Sequence, residues 1–401
     1  MSALPNGAFS GAFSGSLPFL SDQFLFDEDI VYFNHGSFGA CPRPVFEAYQ
    51  RWQRELERQP VEFIQRRLED LLAEARARLG AYAGASPDRL VFVPNATYGV
   101  NVVARSLALQ PGDEILTTSH EYGACDRTWR FMARRTGATY VRQPISLPVT
   151  EPAEIVEQLW GGVTPRTRLI FLSHITSPTA LQMPVADICA RAREAGILTL
   201  VDGAHAPGQI PLDLQAIGAD FYTGNCHKWL MAPPGAGFLY ARPERQALLE
   251  PLVVSWGWES EWETGWTPFE ERFSWFGTDD PAAYLAVPDA IAFQEAYAWD
   301  EVRARCHRLA CQAHEQLGEL TGLPPLYPPS FFAQMFAVAL PPEVDPALQA
   351  RLLAEDAVEV PVTRWDGQAL LRVSVQGYND EADIAALLAG VERILGENRQ
   401  R

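Results

Sequence analysis

The chain is 401 residues long, with 47% apolar and 20% charged side chains and a formal net charge of −18. That length exceeds what one simple core organises, so two structural units are expected, of ordinary soluble globular composition. The acidic balance argues against nucleic acid and against an anionic membrane surface as partners, because both need clustered Lys and Arg.

In chain order, residues 1–25 are rich in Gly and Ser and carry Gly-Ala-Phe-Ser at 7–10 and again at 11–14, which predicts a flexible N-terminal arm. No Lys or Arg precedes Arg43, so the basic start of a secretory signal is missing. No apolar run is long enough to span a bilayer, and a cytoplasmic protein is expected. From 44 to about 82 the apolar spacing is helical, interrupted near Pro60, with Val61, Ile64, Leu68, Leu71 and Leu72 predicted on one face. Strands then alternate with helices: a strand over 90–93, a helix over 97–108, a Pro-Gly-Asp turn at 111–113 and a strand over 114–117. Further strands are predicted over 169–173, 197–201, 221–222 and 237–240, with a helix over 185–195. This alternation predicts an α/β domain with a mostly parallel sheet flanked by helices. Beyond about Pro281 the pattern changes to a long helix over 291–317, strands over 335–338 and 370–375, and a last helix over 381–395, a smaller α+β domain.

Only one of the 32 basic Lys and Arg residues is a lysine, Lys228. Arg cannot lose its proton to attack a carbonyl, whereas Lys can, so a lysine kept in an arginine background is a candidate for imine chemistry. It stands in Thr223-Gly-Asn-Cys-His-Lys-Trp229, flanked by the polar side chains of Asn225 and His227. Asp202, with His205 three residues on, follows the strand 197–201, where a carboxylate can hold the nitrogen of a bound heterocycle protonated. Alone, it reads better as a turn cap. Pro94-Asn-Ala-Thr97 joins a strand to a helix, a place where backbone N–H groups bind phosphate or where Asn95 or Thr97 simply caps. His120-Glu-Tyr122 offers a ring that can stack on a flat cofactor. Arg372 lies between apolar residues in a predicted strand, pointing with Ser374 away from Val373 and Val375, and needs an anion: a carboxylate ligand or a structural ion pair. The histidines at 35, 120, 174, 205 and 227 all fall in such motifs. The six cysteines show no metal-ligand spacing, no metal is expected, and free thiols in a reducing cytosol account for them.

Together, Asp202-x-x-His205, His227-Lys228 and Arg372-x-Ser374 resemble the class V aminotransferase family of fold type I pyridoxal-phosphate enzymes, from about Tyr32 to the C-terminus. Within it, Asn34-His-Gly-Ser-Phe-Gly39, His120-Glu-Tyr122, Ser173-His-Ile-Thr-Ser-Pro-Thr-Ala180, Gly277-Thr-Asp-Asp280 and Val360-Pro-Val-Thr363 resemble the isopenicillin N epimerase-like branch. The resemblance implies a large cofactor-binding domain over 26–285, a small domain over 286–401 to which the N-terminal helices contribute, and a homodimer with shared sites. It implies pyridoxal 5′-phosphate in Schiff-base linkage to Lys228, Asp202 at the ring nitrogen, His205 at the ring hydroxyl and Tyr122 stacked on the ring. Ala96, Thr97, Asn225 and His227 match phosphate positions, and Thr278 matches a residue lent by a partner subunit. Arg372 matches the substrate carboxylate clamp, and Asn34, His35 and Ser177 are expected beside it at the substrate.

One departure discriminates. Desulfurases of the family carry a nucleophilic cysteine shortly before the Arg372 position, but the last cysteine here is Cys311 and 340–372 contain none. A persulfide-forming desulfurase is therefore not expected. The expected activity is epimerisation at the α-carbon of an amino acid or amino-acid-containing substrate. A C–S or other β-lyase, an aminotransferase and a non-catalytic binding module on the same fold are the alternatives. Dinucleotide binding is disfavoured, because no GxGxxG follows the first predicted strand. Tyr122, His35 or His174 is the expected proton donor to the second face, and Trp256, Trp258, Trp262, Trp266 and Trp275 either line the pocket or pack a subunit interface.

Overall fold

The computed structural model describes residues 20–27, 29–260 and 264–399, so most of the arm expected over 1–25, and Trp262, lie outside the described residues. Among the described residues, twelve strands form three sheets: β1 (Val31–Tyr32), β2 (Leu90–Val93), β3 (Glu114–Thr118), β4 (Thr139–Gln143), β5 (Thr167–Ser173), β6 (Leu198–Gly203), β7 (Phe221–Asn225), β8 (Gly237–Ala241), β9 (Met335–Ala339), β10 (Val358–Glu359), β11 (Val362–Trp365) and β12 (Gln368–Ser374). The large sheet has seven strands in the order β2-β8-β7-β6-β5-β3-β4. Five of them run parallel, from β4 to β7, while β8 is antiparallel to both of its neighbours.

The central strands read as unbroken apolar runs because both faces are covered. Successive side chains point to opposite faces. Leu90, Phe92, Tyr222 and Phe238 therefore join one apolar core, while Val91, Val93, Phe221 and Leu239 join a second on the other side. Each such burial contributes about 1.5–3 kcal/mol. The chain leaves β3 for the edge strand β4 and returns to add β5 and β6 on the other side of β3. The loops after β3, β5, β6 and β7 thus open along one edge around the point where the strand order reverses, the place where such sheets bind ligands.

The smaller layer is the antiparallel sheet β11-β12-β9, packed by the helix Trp299–Thr321. The N-terminal strand β1 pairs in parallel with β10, which brings the residues after it against β12.

The helix expected over 291–317 is two helices, Val287–Ala296 and Trp299–Thr321, separated at Ala298 with φ 46°. The face expected at Val61 is also corrected. Val61 is 59% exposed and Phe63 is buried instead, because a π-helical turn over Phe63–Arg67 advances the side-chain phase before the helix Leu68–Ala83 begins.

Candidate active site

The helix Ala96–Ser106 starts at the carboxyl end of β2. Asn95 caps it by accepting the Tyr98 N–H at 2.9 Å, and the Ala96 N–H donates to Asn225 Oδ1 at 2.8 Å. Asn225 ends β7, so this one contact ties the helix N-terminus to the loop that carries His227 and Lys228. His227 Nδ1 pairs with the Ala236 carbonyl at 3.2 Å. Asn95, Ala96, Thr97, Asn225, His227 and Lys228 line one cleft, together with Tyr122, Ser173, Ser177, Asp202, Ala204 and His205. The positive dipole end of this helix therefore faces the same space as the only lysine.

Asp202 is 2% exposed at the end of β6. Its Oδ1 accepts the Ala204 N–H at 2.9 Å, and Oδ2 accepts the Cys125 thiol at 3.5 Å. Burial raises its pKa, opposed by the Ala204 bond and the charge of Lys228. A cation placed against it would restore its charge. Lys228 Nζ lies 3.3 Å from His205 Nε2, and His205 Nδ1 accepts the Trp229 indole N–H at 3.3 Å. Burial, then the charge of Arg372, lowers the Lys228 amine to about 8, opposed by Asp202. The amine is thereby brought into the range where it acts as a nucleophile or base.

Arg372, on β12, is 4% exposed. Its Nη2 donates to Ser37 Oγ at 2.7 Å, and its Nη1 to the Ser177 carbonyl at 2.7 Å and Ser177 Oγ at 3.1 Å. Its Nε has no partner, and among the described residues no carboxylate forms an ion pair with it. A buried guanidinium without a counter-charge is costly. Burial lowers its pKa to about 10. The alternative of a structural ion pair thus finds no acid here, which leaves room for a ligand carboxylate beside Ser37 and Ser177.

The Asn34–Gly39 segment seals the floor of the site. Gly39 has φ +76°, and a Cβ there would lie 2.0 Å from the His227 carbonyl oxygen. Only glycine permits that approach.

Several expected residues stand elsewhere. Asn34 donates to Glu359 at 2.9 Å and does not line the cleft. His35, expected at the substrate, is fully buried behind Lys228, with Nδ1 on the Tyr378 hydroxyl at 3.0 Å and Nε2 on the Lys228 carbonyl at 3.1 Å. Burial lowers its pKa to about 3. His120 stacks on Trp365 with ring centroids 4.4 Å apart, and of its motif it is Tyr122 that lines the cleft. His174 pairs with the buried Tyr222 hydroxyl at 2.9 Å, outside the cleft. Neither His35 nor His174 is placed to hand a proton to a ligand there. Thr278 is exposed and outside its own chain's cleft. Trp256, Trp266 and Trp275 line a separate groove against Leu68 and Leu72, and Trp258 lies under Arg272.

Other residues lie in the quoted motifs, but the sequence assigns them no role. Ser37 and Ser173 are ordinary serines until the fold sets them beside Arg372 and in the cleft wall. Glu121 is buried, accepting from Thr118 Oγ1 at 2.6 Å and from Ser173 Oγ at 2.7 Å. Burial raises its carboxyl to about 8.

The residues present fit pyridoxal phosphate. An anion site at a helix N-terminus, a buried carboxylate, an exposed tyrosine ring and a lowered lysine amine share one cleft, and a guanidinium lacking a counter-charge stands behind its wall.

Comparison with known proteins supports the same cofactor. The model of the family "Aminotransferase class-V" matches residues 31–387. Isopenicillin N epimerase of Amycolatopsis lactamdurans is 38% identical over 391 residues, covering 93% of this chain and 97% of the relative. L-cysteine desulfhydrase of Arabidopsis thaliana is 28% identical over 407 residues, covering 91% and 88%. Among solved structures, the cystine C-S lyase C-DES in complex with its product cysteine persulfide superimposes with a TM-score of 0.78 at 26% identity, covering 92% of this chain and 98% of that one.

Proposed function

The chain belongs to the class V aminotransferase family, and from that membership we propose that it is a pyridoxal-phosphate epimerase that inverts the α-carbon of an amino acid or an amino-acid-containing substrate. The observation that carries the epimerase reading is the 38% identity to isopenicillin N epimerase across 97% of that enzyme. When bound, the cofactor supplies an aldehyde for an amine to capture and an electron-withdrawing ring that acidifies the substrate's Cα–H bond.

The chain's own residues do the rest. Ala96, Thr97, Asn225 and His227 would hold the phosphate with backbone and side-chain donors. Asp202 would pair with the ring nitrogen, and its burial would make that pairing strong. Tyr122 would cover the ring, and His205 would face the ring hydroxyl. Arg372, with Ser177 and Ser37 beside it, grips the substrate carboxylate and so sets which Cα bond is poised to break. Lys228 Nζ takes the α-proton. Inversion requires a proton returned from the other face, and Tyr122 is the candidate donor that lines the cleft.

The active unit is a homodimer. Phe38 lines the cleft yet is 74% exposed, and Val254 and Trp256 are 66% and 67% exposed, a surface that suits a second copy. Thr278, exposed and outside its own cleft, is the residue lent across that interface. No helix among the described residues is long and apolar enough to cross a membrane, and all six cysteines are unbridged, which suits the cytoplasm.

A second reading is β-elimination, favoured by the similarity to L-cysteine desulfhydrase and to the cystine lyase. Persulfide formation on the enzyme is disfavoured, because no cysteine follows Cys311. Product analysis decides. The holoenzyme is incubated in deuterium oxide with L-amino acids, thiol-containing peptides and isopenicillin N. Inverted product deuterated at Cα supports the epimerase. Oxoacid with ammonia or sulfide replaces it with the lyase, and oxoacid with aminated cofactor replaces it with an aminotransferase.

A further inference from the structure

We infer that Trp229 is a positioning residue that holds His205 in the tautomer with its proton on Nε2, so that this proton points at Lys228 Nζ and the cleft. The argument is one of hydrogen-bond polarity. An indole nitrogen only donates, and Trp229 Nε1 donates to His205 Nδ1 at 3.3 Å. Nδ1 is therefore the acceptor, and a neutral imidazole with an accepting Nδ1 carries its single proton on Nε2. Lys228 Nζ sits 3.3 Å from that Nε2. Two donors oppose each other there, so this N–H favours the neutral form of the amine, which alone has a lone pair to accept it.

Both partners are held in place. Trp229 is fully buried, its ring lies 5.0 Å from that of His35, and its carbonyl accepts from Gln294 at 3.0 Å. Gly208 presses on the Trp229 carbonyl so closely that a Cβ would lie 2.1 Å away. On the other side, the His205 carbonyl accepts from Gln209 at 2.8 Å. Burial first, then the charges of Lys228 and Arg372, drives the His205 pKa well below its ordinary value, which keeps the imidazole neutral. The residue after the lysine thus sets which way the ring at the end of the neighbouring strand presents its proton. Whatever group takes the place beside Nε2 when the cleft is filled meets a fixed donor. The functional consequence rests on Lys228 as the cofactor-bearing amine; the tautomer does not.

The test is made on the holoenzyme, and again after cofactor removal, with 15N-labelled histidine and long-range 1H–15N correlation. His205 is assigned by the loss of its signals in His205→Asn. A pyrrole-like Nε2 and a pyridine-like Nδ1 are expected in both forms. A pyrrole-like Nδ1, or a doubly protonated ring, overturns the inference. In Trp229→Phe the single-tautomer signature disappears, and the pH midpoint of the bound cofactor's visible absorbance moves by about one unit, a tenfold change in proton affinity. A folded variant with an unmoved midpoint also overturns it. Should that variant fail to fold, the unaltered protein's tautomer decides alone. A wrong reaction type would appear in the products and leave these readouts untouched.

Discussion

Lys228 should capture an aldehyde at neutral pH far faster than an ordinary lysine. Its amine is lowered from 10.5 to about 8, by burial first and the Arg372 charge second. At pH 7.5 a pKa of about 8 leaves roughly a quarter of the amines neutral, against about one in a thousand for an unperturbed lysine, a difference on the order of 200-fold. The assay is borohydride trapping of pyridoxal phosphate on cofactor-free protein between pH 6 and 10, read by peptide mass. Because the chain has a single lysine, the only competing amine is the N-terminus, on a separate peptide. Adduct at 228 should form about tenfold faster per pH unit up to about pH 8 and then level off. Replacing Arg372 by Met removes the second cause and should move the plateau to higher pH. A rate at 228 that keeps climbing through pH 10, or an adduct confined to the N-terminus, would refute the reasoning.

Three further outcomes follow from the same site. Arg372→Met should raise KM about 10- to 100-fold, the loss of one charge-assisted pairing, while thermal stability holds or rises, because a buried guanidinium without a counter-charge is removed; steady-state kinetics and calorimetry check the two halves. Gly39→Ala drives a Cβ onto the His227 carbonyl at a φ of +76°, so denaturant melts should show a loss of roughly 2 kcal/mol or more and the cofactor should dissociate faster. Glu121 ionises near 8 in the folded chain against an ordinary 4.5, so the folded state binds its proton more tightly than the unfolded one. Stability attributable to it is therefore present below about 4.5 and is lost as pH rises toward 8. Glu121→Gln should be less steeply destabilised than the parent between pH 5 and 7.5, by a few kcal/mol, and parallel pH profiles for the two would count against a neutral Glu121.

Much of the large sheet is legible in the sequence, since strands buried on both faces must be apolar throughout. Lys228 is legible for a chemical reason, the kept lysine, and Asp202 for a positional one, the end of a strand. Other elements escape for physical reasons. The edge strand β4 is half-exposed and mixes Thr, Arg and Gln with its apolar residues, so its period is blurred. β7 runs on to Asn225 through Gly224, residues of low strand propensity that the sheet overrides.

Residue types, their local periodicity and the one lysine were determined by the sequence alone, because they depend on neighbours along the chain. Which of them meet was decided by the tertiary structure. Ser37 reaches Arg372 across 335 positions, and His35 turns its ring behind Lys228 rather than into the cleft. Strand order and the pairing of β1 with β10 set those meetings, and a side chain's protonation and partners follow from what the fold places against it.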